Sequence, residues 1–249
     1  MSGGEDSTIQ IWNVNDGLVK QVLIGHKSWI RDLIALDKNC IISASGDMTI
    51  KIWNIIEGTV RKTLTGHIGR VLALKLLKNG ELASASADKT IIIWNLNDGI
   101  AKRVLRGHTH EIWTLELLKD ESLVSGSKDH TVRIWDVDRG IVKSILRGHT
   151  DCVYELALLK SGDLASGSMD NTIKIWDTQN GEVKRTLNSH SQFVFALKVL
   201  HNGDLVSGSG DGTIKIWDVE TGTVIILFIF YSLAIFFIFY FTFYLSFIS

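Results

Sequence analysis

The apolar residues of this chain are grouped in short runs, separated by polar turns, and these runs predict β-strands. Residues 71–77, VLALKLL, are almost all apolar and predict a strand buried on both faces. Residues 90–96, TIIIWNL, are rich in the β-branched residues that favour strands. Residues 101–108, AKRVLRGH, are mostly polar and predict an outer strand. The pattern therefore predicts an all-β fold.

These runs repeat with a period of 41 residues, without insertion or deletion. One tryptophan marks each unit, at Trp12, Trp53, Trp94, Trp135, Trp176 and Trp217. An aspartate stands six residues before each tryptophan, and a serine stands four residues before each aspartate. A histidine lies 21 residues before five of the six aspartates. Such a regular lattice of polar and aromatic residues is highly specific for a repeat architecture.

Turn signals divide each unit into four strands. A glycine follows every repeat tryptophan by five residues, at Gly17, Gly58, Gly99, Gly140, Gly181 and Gly222, where a left-handed residue can close a turn. Asn79-Gly80 marks a further turn of the hairpin type. Four antiparallel strands in each 41-residue unit predict a blade of a β-propeller.

The repeat resembles that of the WD-repeat family of β-propellers, whose signature pairs Gly-His with Trp-Asp. Trp135-Asp136 carries the dipeptide itself, as do the two later units, whereas asparagine replaces the aspartate in the three earlier units. The resemblance covers residues 1–222, which we assign to one propeller domain of five complete blades and a partial N-terminal one. The strands that should precede Ser2 are missing. We therefore expect an incomplete ring, taken from seven or more blades; the alternative is closure with six imperfect blades.

Serine, histidine and aspartate together could form a hydrolase site, but their recurrence in five units favours a structural role. A catalytic site is needed only once. The resemblance implies that one histidine, serine, aspartate and tryptophan form a hydrogen-bonded tetrad within each blade. The tetrad residues are His26, Ser43, Asp47, Trp53, His67, Ser84, Asp88, Trp94, His108, Ser125, Asp129, Trp135, His149, Ser166, Asp170, Trp176, His190, Ser207, Asp211 and Trp217. We therefore expect no enzymatic activity, with a hydrolase as a remote alternative.

Composition excludes several other kinds of site. The formal net charge is -1, so the chain carries no overall field that would attract nucleic acid. His108 and His110 lack neighbouring ligands that would complete a metal site, and we predict no metal, no cofactor and no small-molecule substrate. Only Cys40 and Cys152 are available for disulfides, which favours a reducing compartment. We expect an intracellular, cytoplasmic protein, with the nucleus as an alternative.

Residues that differ between units while facing one surface are the candidates for partner recognition. In the WD-repeat family, three registers line the top face around the central channel: three and five residues after the histidine, and one residue before the turn aspartate. The partner-binding residues predicted in these registers are Trp29, Arg31, Arg70, Glu111, Trp113, Lys128, Tyr154, Met169, Phe193 and Phe195. Aromatic and arginine side chains dominate many interaction hot spots. We expect the partner to be an apolar protein or peptide segment with an acidic group.

The C-terminal residues 223–249 differ from the rest of the chain, because they contain no charge. They are long enough to span a membrane, yet 11 of the 27 are Phe or Tyr spread along the whole segment, without flanking basic residues. Three hypotheses remain open: a membrane anchor, a gene-model artefact or truncation, and an outer strand of the last blade over residues 223–229.

These observations together predict a non-catalytic scaffold or adaptor that mediates protein–protein interactions. Two alternatives place the same propeller in a different setting: a membrane-anchored adaptor, and the substrate-recognition part of a larger assembly such as a ubiquitin ligase. Both depend on segments or partners beyond the repeats. Since folds do not fix functions, this prediction rests partly on the family resemblance.

Overall fold

The computed structural model describes residues 1–229, which form 23 β-strands and no helix. The predicted all-β class is confirmed, and the strands form six successive antiparallel sheets of the propeller-blade type. Residues 230–249, on which the membrane-anchor hypothesis mainly depends, lie outside the described residues. In residues 1–229 there is no helix with the length and hydropathy needed to cross a membrane.

The first sheet has three strands, in the order β1 (Ser2–Gly3), β2 (Thr8–Trp12) and β3 (Val19–Ile24). β1 is only two residues long, and it pairs Ser2 with Gln10. Within residues 1–229 this sheet lacks the inner strand that begins every later sheet, as expected from the partial first unit.

The other five sheets have four strands each, and in all of them the strands are ordered as in the chain. The second sheet contains β4 (Ile30–Asp37), β5 (Cys40–Ser45), β6 (Ile50–Asn54) and β7 (Thr59–Leu64). The third contains β8 (Val71–Leu76), β9 (Leu82–Ser86), β10 (Thr90–Trp94) and β11 (Ala101–Arg106). The fourth contains β12 (Ile112–Leu117), β13 (Leu123–Ser127), β14 (Val132–Asp136) and β15 (Ile141–Leu146). The fifth contains β16 (Val153–Leu158), β17 (Leu164–Ser168), β18 (Ile173–Trp176) and β19 (Val183–Leu187). The sixth contains β20 (Val194–Val199), β21 (Leu205–Ser209), β22 (Thr213–Asp218) and β23 (Thr223–Ile229).

The last strand, β23, occupies the position that one of the three tail hypotheses assigns to residues 223–229. It pairs with β22 in an antiparallel register that places Phe228 opposite Ile214 and Ile226 opposite Ile216. The sixth sheet is therefore four-stranded, like the four sheets before it.

The first three sheets belong to one compact unit of the chain and the last two sheets to another. Each unit builds its core by packing a repeat tryptophan against the preceding sheet. In the first unit, Trp94 packs in one cluster with Ile42 and Ile52. In the second unit, Trp217 packs with Ile173 and Leu187. The tryptophan thus provides much of the apolar area that holds successive sheets together.

Trp12 is the exception among the six repeat tryptophans. Its side chain is 36% exposed, whereas Trp94 is 1% exposed. Both indoles donate a hydrogen bond of 2.8 Å to the serine of their own sheet, Ser2 and Ser84 respectively. The difference therefore lies in the covering sheet, because the described residues contain no sheet before the first one.

This difference predicts unequal costs for two tryptophan substitutions. Trp94→Ala should lower the free energy of unfolding by about 3–5 kcal/mol, since a large buried side chain is lost and a cavity remains. Trp12→Ala should cost much less, because a third of that side chain is already in contact with water. Urea titration followed by circular dichroism measures both; equal losses would contradict the assigned packing.

Candidate functional site

The repeated polar residues meet in a hydrogen-bonded chain within each sheet. In the third sheet, the Trp94 indole Nε1 donates to Ser84 Oγ at 2.8 Å, and the same oxygen lies 2.7 Å from His67 Nε2. His67 Nδ1 lies 2.8 Å from Asp88 Oδ2. The consistent proton assignment has the serine hydroxyl donating to Nε2 and the Nδ1–H donating to the carboxylate.

The same geometry recurs in three other sheets, with every His–Ser distance at 2.7 Å and every His–Asp distance between 2.7 and 2.9 Å. These are the tetrads of His26, His149 and His190. In the fourth sheet, Trp135 donates to Ser125 at 2.8 Å, and His108 is buried. The residue types and spacings that the sequence singled out are therefore brought together in space.

Each tetrad aspartate also organises the tight turn that follows it. Asp88 Oδ1 accepts from the backbone N–H and the hydroxyl of Thr90, while Oδ2 accepts from the backbone N–H of Ile68. The next residue, Lys89, has a φ of 71°, in the left-handed region that is unfavourable for a side chain. Local hydrogen bonds to the carboxylate offset this strain.

Four tetrad carboxylates have a lowered pKa, which favours their charged form: Asp47, Asp88, Asp170 and Asp211. Burial alone would raise the pKa of Asp47, but hydrogen bonds from Thr49, Lys27 N–H and His26 overcome it and lower the pKa to about 2. The pKa of Asp211 is lowered to about 2 by equivalent contacts. On the other side of the pair, burial lowers the pKa of His26. The neutral imidazole can therefore join the serine and the carboxylate.

The tetrad serines are placed for structure and not for nucleophilic attack. Ser43, Ser84 and Ser166 are fully buried. A nucleophile must meet its substrate beside an oxyanion hole, whereas these hydroxyls face an indole and an imidazole inside the sheet. Within residues 1–229, no three His, Cys, Asp or Glu side chains are grouped as metal ligands.

Two of the registers predicted to bind partners are adjacent in the fold. The residue before the turn aspartate donates its backbone N–H, at 2.9 Å, to the carbonyl of the residue three after the histidine. The pairs are Gly46 and Trp29, Ala87 and Arg70, Met169 and Cys152, and Gly210 and Phe193. Residues of these registers therefore lie side by side in each of these sheets.

Five of the predicted residues in the first unit form two contact groups, one around Arg31 and one between Arg70 and Glu111. The two groups together are here called the Trp29 cluster: Trp29, Arg31, Arg70, Glu111 and Trp113. The Arg31 guanidinium carbon lies 4.8 Å from the Trp29 ring centroid and 5.8 Å from that of Trp113. Both distances allow a cation–π interaction. Arg70 Nη2 donates to Glu111 Oε1 at 3.1 Å.

Other predicted residues lie in the second unit. Phe193 and Phe195 pack with their ring centroids 5.7 Å apart. Phe193 also lies over Gly210, where a Cβ atom would come within 2.6 Å of the ring. Met169 and Phe193 are exposed, and Tyr154 is half-buried. The remaining predicted residue, Lys128, is exposed.

One buried contact of the first unit escaped the sequence analysis. Asp32, in β4, accepts at Oδ2 from the backbone N–H of Leu74 in the next sheet, at 2.7 Å, and at Oδ1 from Leu33 N–H. Burial raises the pKa of Asp32 to about 6 despite these hydrogen bonds. The available signal was an acidic residue placed directly before the apolar run 33–36 of the inner strand β4.

A family model places these repeats among known proteins. The model described as WD domain, G-beta repeat matches residues 17–54, 58–95, 99–136, 140–177 and 181–218. The chain belongs to the WD-repeat family. Each WD repeat combines the outer strand of one sheet with the first three strands of the next sheet, so that the first match runs from β3 to β6. A comparison with curated proteins finds no match.

Membership of the WD-repeat family accounts for the structural role of the repeated residues. WD repeats generally serve as protein-interaction scaffolds and are typically non-catalytic. The residues common to all repeats build the sheets, as the tetrads do here. The positions at which the WD repeats of this chain differ are not needed for this shared scaffold.

The tetrad geometry predicts the effect of losing one serine hydroxyl. Ser84→Ala should lower the free energy of unfolding by about 1–3 kcal/mol, because Trp94 Nε1 and His67 Nε2 lose their common partner while they remain buried. Ser2→Ala is the matched control, since the Trp12 indole is partly exposed and water can replace the bond. Equal costs in urea titrations of the two variants would argue against the buried network.

The raised pKa of Asp32 predicts a distinct pH dependence. Because its pKa in the fold exceeds the ordinary value of about 3.9, protonation favours the folded state. The resulting stabilisation is present below about pH 4 and is lost as the pH rises through about 6. Asp32→Asn should therefore gain stability relative to the wild type as the pH rises from 4 to 7.5, in urea titrations. A difference that does not vary with pH would refute this assignment.

Proposed function

We propose that this WD-repeat chain is a non-catalytic adaptor whose Trp29 cluster binds an apolar segment of a partner protein that carries an acidic group. The observation that carries the proposal is the exposed indole of Trp29, 43% accessible, beside the Arg31 guanidinium. Tryptophan and arginine are the side chains most enriched in interaction hot spots. Their close pairing favours a partner that combines apolar and acidic groups.

The charged half of the cluster supports an acidic group in the partner. The Arg70 side chain is 43% exposed although one of its nitrogens binds Glu111. A guanidinium has five N–H donors, so Arg70 retains the geometry to bind a further carboxylate. Glu111, with 23% exposure, fixes the orientation of Arg70 before a partner arrives. Preorganisation of this kind reduces the entropy lost on binding.

The second unit offers separate apolar surface, at Met169 and at the packed pair of Phe193 and Phe195. Met169 is 41% exposed and Phe193 is 38% exposed. Methionine and phenylalanine adapt to varied apolar side chains, and a flexible methionine suits recognition of more than one sequence. We propose that this surface binds apolar residues of a partner protein.

The cellular setting that we propose is the cytoplasm. Cys40 and Cys152 are free thiols, each 2% exposed, which is compatible with a reducing compartment. The near balance of 26 basic and 27 acidic residues supports proteins, and not nucleic acids, as partners.

The proposal predicts a specific loss of peptide binding. Peptides that are selected from a random display library for binding to the wild-type chain should be rich in apolar and acidic residues. Trp29→Ala should weaken their binding by about 30-fold, the effect of losing a hot-spot residue worth about 2 kcal/mol. Arg70→Ala should weaken binding mainly at low ionic strength, because it removes a partly exposed charge. Isothermal titration calorimetry measures both effects.

Val104→Ala provides the control for this experiment. Val104 is also exposed, at 41%, but it lies on the outer strand β11, away from the predicted registers. It should bind the selected peptides as the wild type does. If the Trp29 and Arg70 variants both retained wild-type affinity, the Trp29 cluster would not be the binding surface.

A further inference from the structure

The outer strand of the sixth sheet differs in chemistry from the other outer strands. β7, β11, β15 and β19 each carry at least one lysine or arginine, for example Lys184 and Arg185 in β19. β23, with the sequence TVIILFI, carries no charge. Charged residues on edge strands prevent unwanted pairing between sheets, so β23 lacks the protection that its counterparts have.

The basic residues of the other outer strands also have partners that β23 cannot have. Arg185 donates to the backbone carbonyls of Glu220 and Thr221 in the sixth sheet, at 2.6 and 3.0 Å. Lys62 makes equivalent bonds to the carbonyls of the third sheet. Ile226 holds the corresponding position in β23. There an apolar side chain replaces the cation found at Arg185 and Lys62.

The side chains of β23 are exposed on both faces of the strand. Residues Ile225, Ile226, Leu227, Phe228 and Ile229 are each between 44% and 57% exposed. The counterpart of Phe228 in the fifth sheet, Leu187, is 2% exposed. Because side chains alternate along a strand, this run presents apolar groups both above and below the sheet.

In the part of the chain that the structure describes, the backbone of β23 has one paired edge and one edge without a strand. Its antiparallel partner is β22, and β23 is the last strand in the order of the sixth sheet. Among residues 1–229, no strand pairs with the other edge. A seven-residue edge that is uncharged and apolar is a template for a further strand.

We propose that β23 pairs antiparallel with β23 of a second copy of this chain, centred on Ile226. In this register Thr223 faces Ile229, Val224 faces Phe228, and Ile225 faces Leu227, so that all seven residues find partners. The two sixth sheets then form one sheet of eight strands across a two-fold axis. Because each copy uses the one uncharged apolar edge found in residues 1–229, the contact is closed and ends at the dimer.

The chemistry of β23 favours a second copy over another strand. A strand that pairs with the free edge of β23 must be uncharged and apolar on both faces. Among the outer strands of the described residues, β23 is the one strand with that character. In the proposed register no charge opposes another charge, and β-branched and aromatic residues face each other, which are the cross-strand pairs that stabilise sheets.

The first test restores the repeat's own charges to β23. The double variant Ile225→Lys with Ile226→Arg copies Lys184 and Arg185 of β19 and should keep the sheet intact. It places like charges opposite each other at the two-fold axis, which opposes pairing. Sedimentation equilibrium of the full chain should show a dimer for the wild type and half that mass for the variant. The control is the double variant Ile100→Lys with Val104→Lys, which adds the same charge directly before β11 and within it. This control should remain dimeric.

The second test reads the register directly. Ile226→Cys should form a disulfide between copies under mild oxidation, because position 226 faces itself at a Cα separation of about 4.5–5.5 Å. Phe228→Cys is the matched control, since its counterpart lies four residues further along the paired strand, beyond disulfide reach. The native Cys40 and Cys152 are buried and contribute no background.

The outcomes separate clearly. Loss of the dimer in the charged double variant, together with crosslinking at 226 and not at 228, supports the proposal. A monomeric wild type overturns it. Association that survives in the charged double variant also overturns it, since the contact would then lie elsewhere. Equal crosslinking at positions 226 and 228 overturns it as well.

Discussion

The fold depends on one buried oxygen in each complete sheet, the Oγ of the tetrad serine. Ser84 Oγ accepts from the Trp94 indole and bonds to His67, which in turn holds Asp88. These four groups come from the stretch before the inner strand, the second strand, the turn and the third strand. A single hydroxyl therefore fixes the register of one sheet, because a shifted strand would leave several buried polar groups without partners.

The tetrad also sets the position of the tryptophan that joins neighbouring sheets. Once its indole N–H is fixed, the ring of Trp94 packs against Ile42, Ile52 and Leu64 of the sheet before it. Polar contacts thus align the apolar surface that supplies most of the stabilisation. Trp12 separates the two effects, since it retains the bond to Ser2 but has no covering sheet in the described residues and is partly exposed.

Because the repeated residues build this scaffold, the functions that we propose rest on the positions that vary. In the first unit those positions carry Trp29, Arg31 and Trp113, which combine apolar and cationic surface. In the sixth sheet, variation affects the outer strand itself, where Ile225 and Ile226 replace a basic pair. In our proposals, the same architecture therefore presents a partner surface in one place and a self-pairing edge in another.

The sequence by itself determined the 41-residue period, the four strands of each complete unit and the identity of the tetrad residues, because their chemistry and spacing repeat without interruption. The family resemblance implied that the registers of Arg70 and Ala87 share one face, and the structure shows that these two residues are hydrogen-bonded neighbours. Only the tertiary structure decided that Arg31 meets two indoles and that Asp32 binds Leu74 in the next sheet. Those contacts join different sheets, and their geometry depends on packing that no local pattern encodes.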